Sequence, residues 1–111
     1  ILASKEMYLA RYYLDREKWI PAMNRFKKIT TDYNTTIYIE EALHRLVELN
    51  YKLGIIDEAN KYAAVLGYNY QSSEWYESSY KIINRDYEKI LKKKDLKEQN
   101  SILKKFKELF K

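Results

Sequence analysis

The sequence contains no cysteine, one proline and two glycines among its 111 residues. Without cysteine it can form neither a disulfide scaffold nor a thiolate zinc site, and it has no cysteine nucleophile. So few glycines and prolines exclude a β-sandwich or barrel, which needs turns every 8–12 positions or so, and a glycine-rich phosphate loop. Its single histidine, His44, excludes a multi-histidine metal cluster. We therefore expect no cofactor and no metal ion.

The chain is nevertheless rich in side chains that build a core. Apolar residues make up 46% of it, and 12 residues are tyrosine. This composition argues against disorder. No run of about 18 apolar residues occurs, so the sequence predicts no membrane span. The remaining class is an all-α protein with short connections.

The net charge of +5 is confined to one end of the chain. Residues 1–81 hold 11 basic and 11 acidic residues, whereas residues 82–111 hold 10 and 5. Lysine lacks the planar fork with which arginine binds phosphates and base edges. The excess, which is mostly lysine, therefore does not favour a nucleic-acid partner. It fits either a solvated helix face or a surface that binds a partner or a membrane.

A repeat of 37 residues organises the first two thirds of the sequence. Shifting the chain by this offset places Tyr33 on Tyr70, and both are followed by an amide and two hydroxyl residues. Helix–turn–helix units of 34 to 37 residues with small residues at the helix contacts are typical of a tetratricopeptide (TPR) solenoid. The sequence predicts repeats over residues 1–36 and 37–72, and a degenerate third repeat over residues 73–111.

Each repeat is predicted to contain two helices, about six in all, within a single TPR-like domain. Pro21 fits only the first turn of a helix that begins near Trp19. Thr36 and Asp57 are predicted N-caps, and Gly54 is a predicted helix end. The predicted buried stripes combine the following residues: Met7, Ala10 and Leu14; Ala22, Phe26, Ile29 and Tyr33; Ile39, Ala42, Leu46, Leu49 and Leu53; Ala59, Ala63 and Leu66.

The third repeat is predicted to begin with a helix that is capped by Ser72 or Ser73 and runs from Glu74 to about Lys93. Asp95 and Glu98 form a capping-box pattern, which predicts a separate last helix. The apolar face of this helix contains Leu96, Leu103, Phe106 and Phe110. Its other face is a candidate basic surface made of Lys97, Lys104, Lys105 and Lys107.

No residues form a convincing catalytic site. His44 lies beside Glu40 and Glu41 but lacks a nucleophile, so it is predicted to be an ordinary surface or partly buried histidine. Adjacent carboxylates on a helix point about 100° apart and cannot face one substrate. Glu40 and Glu41, like Asp57 and Glu58, are therefore predicted to be solvated. The protein is predicted not to be an enzyme.

Candidate binding residues lie on the first repeat and on the first helix of the second. Arg25 follows Asn24 at the edge of a buried stripe, where it is either an interface anchor or a surface salt bridge. A peptide groove lined by first helices would contain Arg11, Tyr12, Arg45 and Lys52. The clustered tyrosines fit helix packing or such a groove better than a platform for nucleic-acid bases.

Several segments resemble the BamD family, the TPR lipoproteins of the outer-membrane β-barrel assembly machine. The match covers about residues 5–85, is greatest to the alphaproteobacterial members, and does not extend into the tail from Lys89. The segments that carry it are 8–13, 19–26 and 32–33 for the family's fourth repeat, and 41–46, 51–54, 57–59, 63–67, 69–70 and 73–76 for the next.

The resemblance implies a scaffold on the periplasmic face of the outer membrane, held by an N-terminal lipid outside this chain. The chain begins with Ile1 rather than Met and is interpreted as a fragment. The implied partners are the barrel-proximal POTRA domain of BamA, accessory lipoproteins and unfolded outer-membrane proteins. Trp19 and Arg25 match a family arrangement in which the arginine faces BamA. Two alternatives stay open: a TPR peptide-binding adaptor of another pathway, and a polyanion or membrane-surface binder using the last helix.

Overall fold

A computed structural model describes residues 2–109, except for the side chains of residues 86–88, 90, 91, 94 and 95. Within this range the chain forms helices and no strand, which confirms the all-α, helix–turn–helix fold class. The helices are α1 (Leu2–Asp15), α2 (Trp19–Asp32), α3 (Ile39–Lys52), α4 (Ile56–Asn69) and α5 (Glu74–Leu109).

The first two helices form the predicted hairpin. Residues 16–18 connect them, and Glu17 adopts a positive φ of 57° that reverses the chain. Pro21 lies in the first turn of α2, where no intrahelical bond requires its missing N–H. The stripe Met7–Ala10 of α1 is buried against Ala22, Phe26 and Ile29 of α2, as predicted.

The second hairpin repeats this arrangement with different helix ends from those predicted. Gly54 follows α3 with φ +81°, a conformation that favours glycine, as its position predicts. The predicted caps at Thr36 and Asp57 are wrong, because α3 and α4 begin after Tyr38 and Ile55 without a side-chain cap. Thr36 instead donates its hydroxyl hydrogen to the Tyr33 carbonyl, 2.7 Å away. Leu53 lies just beyond α3 and is largely exposed, so its place in the buried stripe is also wrong.

Short side chains at the helix contacts let the backbones approach. Ala10, Ala22 and Ala42 are fully buried in one cluster with Phe26 and Leu46. Helices pack about 8–10 Å apart, and the smaller value requires short side chains at the contact. The alternation of alanine with large residues therefore brings α1, α2 and α3 into one core.

The last helix begins as predicted and then continues further than predicted. The Ser73 hydroxyl accepts a hydrogen bond from the Trp75 amide at 3.1 Å, which is the expected cap. The predicted break at Asp95 is wrong: α5 runs from Glu74 to Leu109 without interruption. The side chain of Asp95, and Phe110 as a whole, lie outside the described residues.

The chain divides into two compact units, residues 1–80 and 81–111. The first contains α1 to α4 and the start of α5, and the second contains the rest of α5. No helix among the described residues combines the length and the apolar character needed to cross a membrane. The repeat boundaries within a single domain stay a prediction.

Candidate partner-binding surface

Arg25 is held in place by a buried carboxylate of the neighbouring helix. Its Nη1 donates hydrogen bonds to both oxygens of Glu6, at 3.3 and 3.2 Å. Lys28 lies 3.4 Å from the same carboxylate. Glu6 is buried, whereas the Arg25 side chain is 37% exposed. Arg25 therefore combines an intramolecular ion pair with a guanidinium edge that can still contact a partner.

A shallow groove beside Arg25 provides a surface for that contact. It has a volume of about 410 Å³. Six residues line it: Tyr13, Ile20, Pro21, Asn24, Arg25 and Lys28. Ile20 and Asn24 are exposed. We call this set the α1–α2 groove. The groove combines the apolar side chains of Ile20 and Pro21 with two cationic side chains and an amide, a mixture typical of a protein-recognition surface.

Trp19 is not among the residues that line the α1–α2 groove. Its ring packs against the first core cluster, and Lys52 Nζ lies 4.1 Å from the ring centroid. A cation over an indole face is electrostatically favourable. Of the two residues that match the family arrangement, Arg25 lines the groove and Trp19 supports the hairpin from within.

Arg11 is paired with a carboxylate of α3. Its Nε and Nη2 donate to the two oxygens of Glu41 at 3.0 and 2.6 Å, a bidentate pair that raises the pKa of Arg11 against the opposing effect of burial. Glu41 is buried, so the prediction that it is solvated is wrong. The neighbouring candidate Tyr12 contacts Arg16, whose guanidinium carbon lies 3.5 Å from the Tyr12 ring centroid.

Arg45, the other candidate groove arginine, is also paired. Its Nη1 donates to Glu48 at 2.8 Å, and its guanidinium carbon lies 5.5 Å from the Trp75 ring centroid. Arg11 and Arg45 are thus both neutralised by neighbouring carboxylates. A groove that binds acidic peptides needs uncompensated cations. These pairings argue against the alternative of a basic peptide-binding groove.

His44 forms a buried polar network that the sequence analysis missed. Its Nε2 lies 2.5 Å from a Glu48 oxygen, and its Nδ1 lies 2.7 Å from Ser79 Oγ. Nε2–H can donate to the Glu48 carboxylate, and the second ring nitrogen forms a hydrogen bond with the Ser79 hydroxyl. The prediction of a surface or partly buried histidine is wrong, because His44 is only 5% exposed. Glu48 follows His44 by one helical turn, a spacing that the sequence shows, whereas no sequence signal links Ser79, 35 positions away.

The serine, histidine and glutamate of this network resemble a hydrolytic triad only in composition. Ser79 is 0% exposed, so no substrate can reach its hydroxyl. Burial works to raise the pKa of Glu48, but hydrogen bonds and charges from His44 and Arg45 outweigh it and lower that pKa. The network joins α3 to the first turns of α5 and is structural.

The predicted basic surface lies on the second half of α5. Lys97, Lys104, Lys105 and Lys107 are all exposed. On the same helix Leu96, Leu103 and Phe106, which the sequence predicts to form one apolar face, are exposed as well. In the described part of the chain no group of three or more histidine, cysteine, aspartate or glutamate residues could hold a metal ion.

Paired antiparallel helices with a repeated core pattern and a mixed apolar and polar surface define a helical-repeat protein of the kind that binds other proteins. Comparison with known proteins assigns the family. The model of the YfiO family, described as an outer membrane lipoprotein, matches residues 1–66, and the chain belongs to that family. This confirms the resemblance to BamD and the predicted location at the periplasmic face of the outer membrane.

Curated relatives carry the name "Outer membrane protein assembly factor BamD". The protein of Rickettsia prowazekii is 48% identical over 82 residues, which are 74% of this chain and 33% of the relative. That of Caulobacter vibrioides is 41% identical over 83 residues, 75% of this chain and 27% of the relative. The protein of Neisseria gonorrhoeae is 49% identical over 51 residues, which are 46% of this chain and 19% of the relative. The chain thus spans at most about a third of the length of these relatives.

Proposed function

We propose that the chain is a non-catalytic scaffold in outer-membrane protein assembly. The observation that carries this proposal is the family membership, together with relatives named as assembly factors. The buried position of Ser79 and the structural role of His44 agree with a scaffold. We further propose that the repeats over residues 1–36, 37–72 and 73–111 act as one partner-binding domain.

The α1–α2 groove is the surface that we propose for the barrel-proximal POTRA domain of BamA. The Glu6–Arg25 ion pair supports this assignment, because it fixes the guanidinium before a partner arrives and lowers the entropy lost on binding. Accessory lipoproteins and unfolded outer-membrane proteins are the other partners that we propose.

Binding of the cognate POTRA fragment by two matched variants tests the groove. Asn24→Glu places a carboxylate within the α1–α2 groove, and Asn60→Glu makes the same change on exposed α4. We expect Asn24→Glu to weaken binding at least about tenfold, since the new carboxylate lies one helical turn before Lys28 and compensates the cations that the partner would meet. Asn60→Glu should bind like the wild type, as measured by titration calorimetry.

Two results would contradict this assignment. Equal affinities of the two variants would remove the groove from the interface. Absence of binding by the wild-type chain would refute the POTRA proposal for these repeats. Because residue 24 is exposed and neither variant breaks the Glu6 ion pair, circular dichroism should show the same helix content for both proteins.

A further inference from the structure

The second half of α5 carries an exposed apolar stripe that only Gln99 interrupts among its described side chains. Leu96, Ile102, Leu103, Phe106 and Leu109 are 57–80% exposed. At 100° per residue these five positions fall within an arc of about 140°. An exposed apolar stripe of this size marks a binding surface. We call these five residues the α5 stripe.

Charged residues border the α5 stripe on both sides. Helical geometry places Lys107 next to Leu96 at one edge. Lys105 lies next to Leu109 at the other edge, which also holds Glu98. Lys97 and Lys104 lie on the opposite face of the helix. This is the arrangement of helices that lie in a membrane interface, where apolar side chains enter the acyl boundary and lysines reach back to anionic head groups.

We propose that the second half of α5 binds an anionic lipid surface, with the α5 stripe inserted and the bordering lysines on lipid phosphates. Residues 82–111 carry 10 basic against 5 acidic residues, so the charge complements such a surface. The family is one of outer membrane lipoproteins, which places a membrane beside the chain. This site is separate from the α1–α2 groove and needs no protein partner.

Two other occupants of the α5 stripe, a second copy of α5 and a nucleic acid, do not match both its charge and its apolar side chains. A second copy of α5 could cover the apolar residues, but it would leave the net positive charge of residues 82–111 uncompensated on both helices. A nucleic acid would engage the lysines but would leave the leucines and Ile102 in water. A lipid surface satisfies the apolar and the charged sets at once.

Vesicle flotation tests the proposal with residues 1–111 carrying no lipid of their own. The vesicles contain either phosphatidylcholine alone or phosphatidylcholine with a quarter of phosphatidylglycerol, in about 0.15 M salt. We expect binding to the anionic vesicles that is at least about tenfold stronger than to the neutral ones, since each lysine near an anionic surface contributes severalfold. A higher salt concentration should weaken the binding to the anionic vesicles.

Matched variants distinguish the contribution of the α5 stripe to vesicle binding from the contribution of the lysines. Ile102→Ser with Leu103→Ser should reduce binding at least about tenfold, because two large apolar side chains no longer leave water. Lys105→Glu with Lys107→Glu should do the same through charge. Ile37→Ser is the control, since Ile37 is 85% exposed but lies outside α5. It should bind like the wild type, and helix content by circular dichroism should be unchanged in all variants.

Three results would overturn the proposal. The first is equal binding to neutral and anionic vesicles by the wild type. The second is unchanged binding of the Ile102→Ser, Leu103→Ser variant. The third is retention of single-stranded DNA, but not of vesicles, by the wild type and this variant alike. Loss of vesicle binding with intact POTRA binding would refute only this site and leave the scaffold proposal standing.

Discussion

At the scale of single residues, all three candidate arginines are paired with carboxylates, and it is their surroundings that differ. Arg11 and Arg45 are each engaged by carboxylates of α3, and their charge is compensated within the chain. Arg25 is also paired, but it lines an open groove whose other residues are exposed or apolar. Because Glu6 lies 19 positions before Arg25, the sequence offers no local signal for this pair. The sequence could place Arg25 at a stripe edge and could not identify its anchor.

Glu48 supplies a pH-dependent contribution to stability. Its pKa in the folded chain lies below the usual 4.5, through His44 and Arg45. A lowered folded pKa gives a contribution that is present above the unfolded pKa and is lost as the pH falls through the folded value. We therefore expect the stability difference between the wild type and Glu48→Gln to be fully present above about pH 5 and to shrink as the pH falls below about 4.5.

Urea unfolding at a series of pH values measures this difference. Glu17→Gln is the control, because Glu17 is exposed in the connection between α1 and α2. Its difference from the wild type should stay near zero over the same range. A Glu48→Gln difference that grows on acidification would show that the network stabilises the protonated and not the ionised carboxyl.

At the scale of helices, one missing side chain lets α4 meet α5. A Cβ added at Gly67 would lie 2.6 Å from Tyr76 Cε2, closer than carbon atoms can approach. We expect Gly67→Ala to destabilise the chain by about 1–3 kcal/mol through overpacking, although alanine is the better helix former. Thermal or urea unfolding measures the change.

A double variant identifies the cause. In a Tyr76→Ala background the clash is absent, so Gly67→Ala should be neutral or stabilising there, by up to about 1 kcal/mol. Gly54→Ala is a second reference. Nothing lies within 4 Å of its added Cβ, and the cost there comes from φ +81° alone. Equal effects of Gly67→Ala in both backgrounds would show that Tyr76 is not the opposing group.

Helix positions could be predicted from the sequence better than helix ends. The repeat and the apolar spacing place α1 to α4, because burial of the same stripe is required in each hairpin. The sequence predicts Thr36 as an N-cap, yet its hydroxyl donates a hydrogen bond to the Tyr33 carbonyl. Asp95 and Glu98 have capping-box spacing, but no glycine or proline there interrupts the helix. Such local patterns fit helix interiors as well as helix starts.

At the scale of the whole molecule, the net charge describes one region only. The first unit builds a helical-repeat scaffold with compensated arginines and the α1–α2 groove, and the basic excess lies in the second half of α5. Sequence periodicity is enough for the repeat architecture. The His44–Ser79 contact and the α5 stripe's exposure depend on tertiary placement, which no local pattern encodes.

The central claim is that the α1–α2 groove contacts BamA, and crosslinking in cells tests it most directly. A photo-crosslinking amino acid at position 24 lies within the groove, and one at position 60 lies on exposed α4. We expect position 24 to form a crosslink with the POTRA region of BamA, identified by mass spectrometry, and position 60 to form none. Crosslinks to BamA from position 60 alone, with none from position 24, would contradict it.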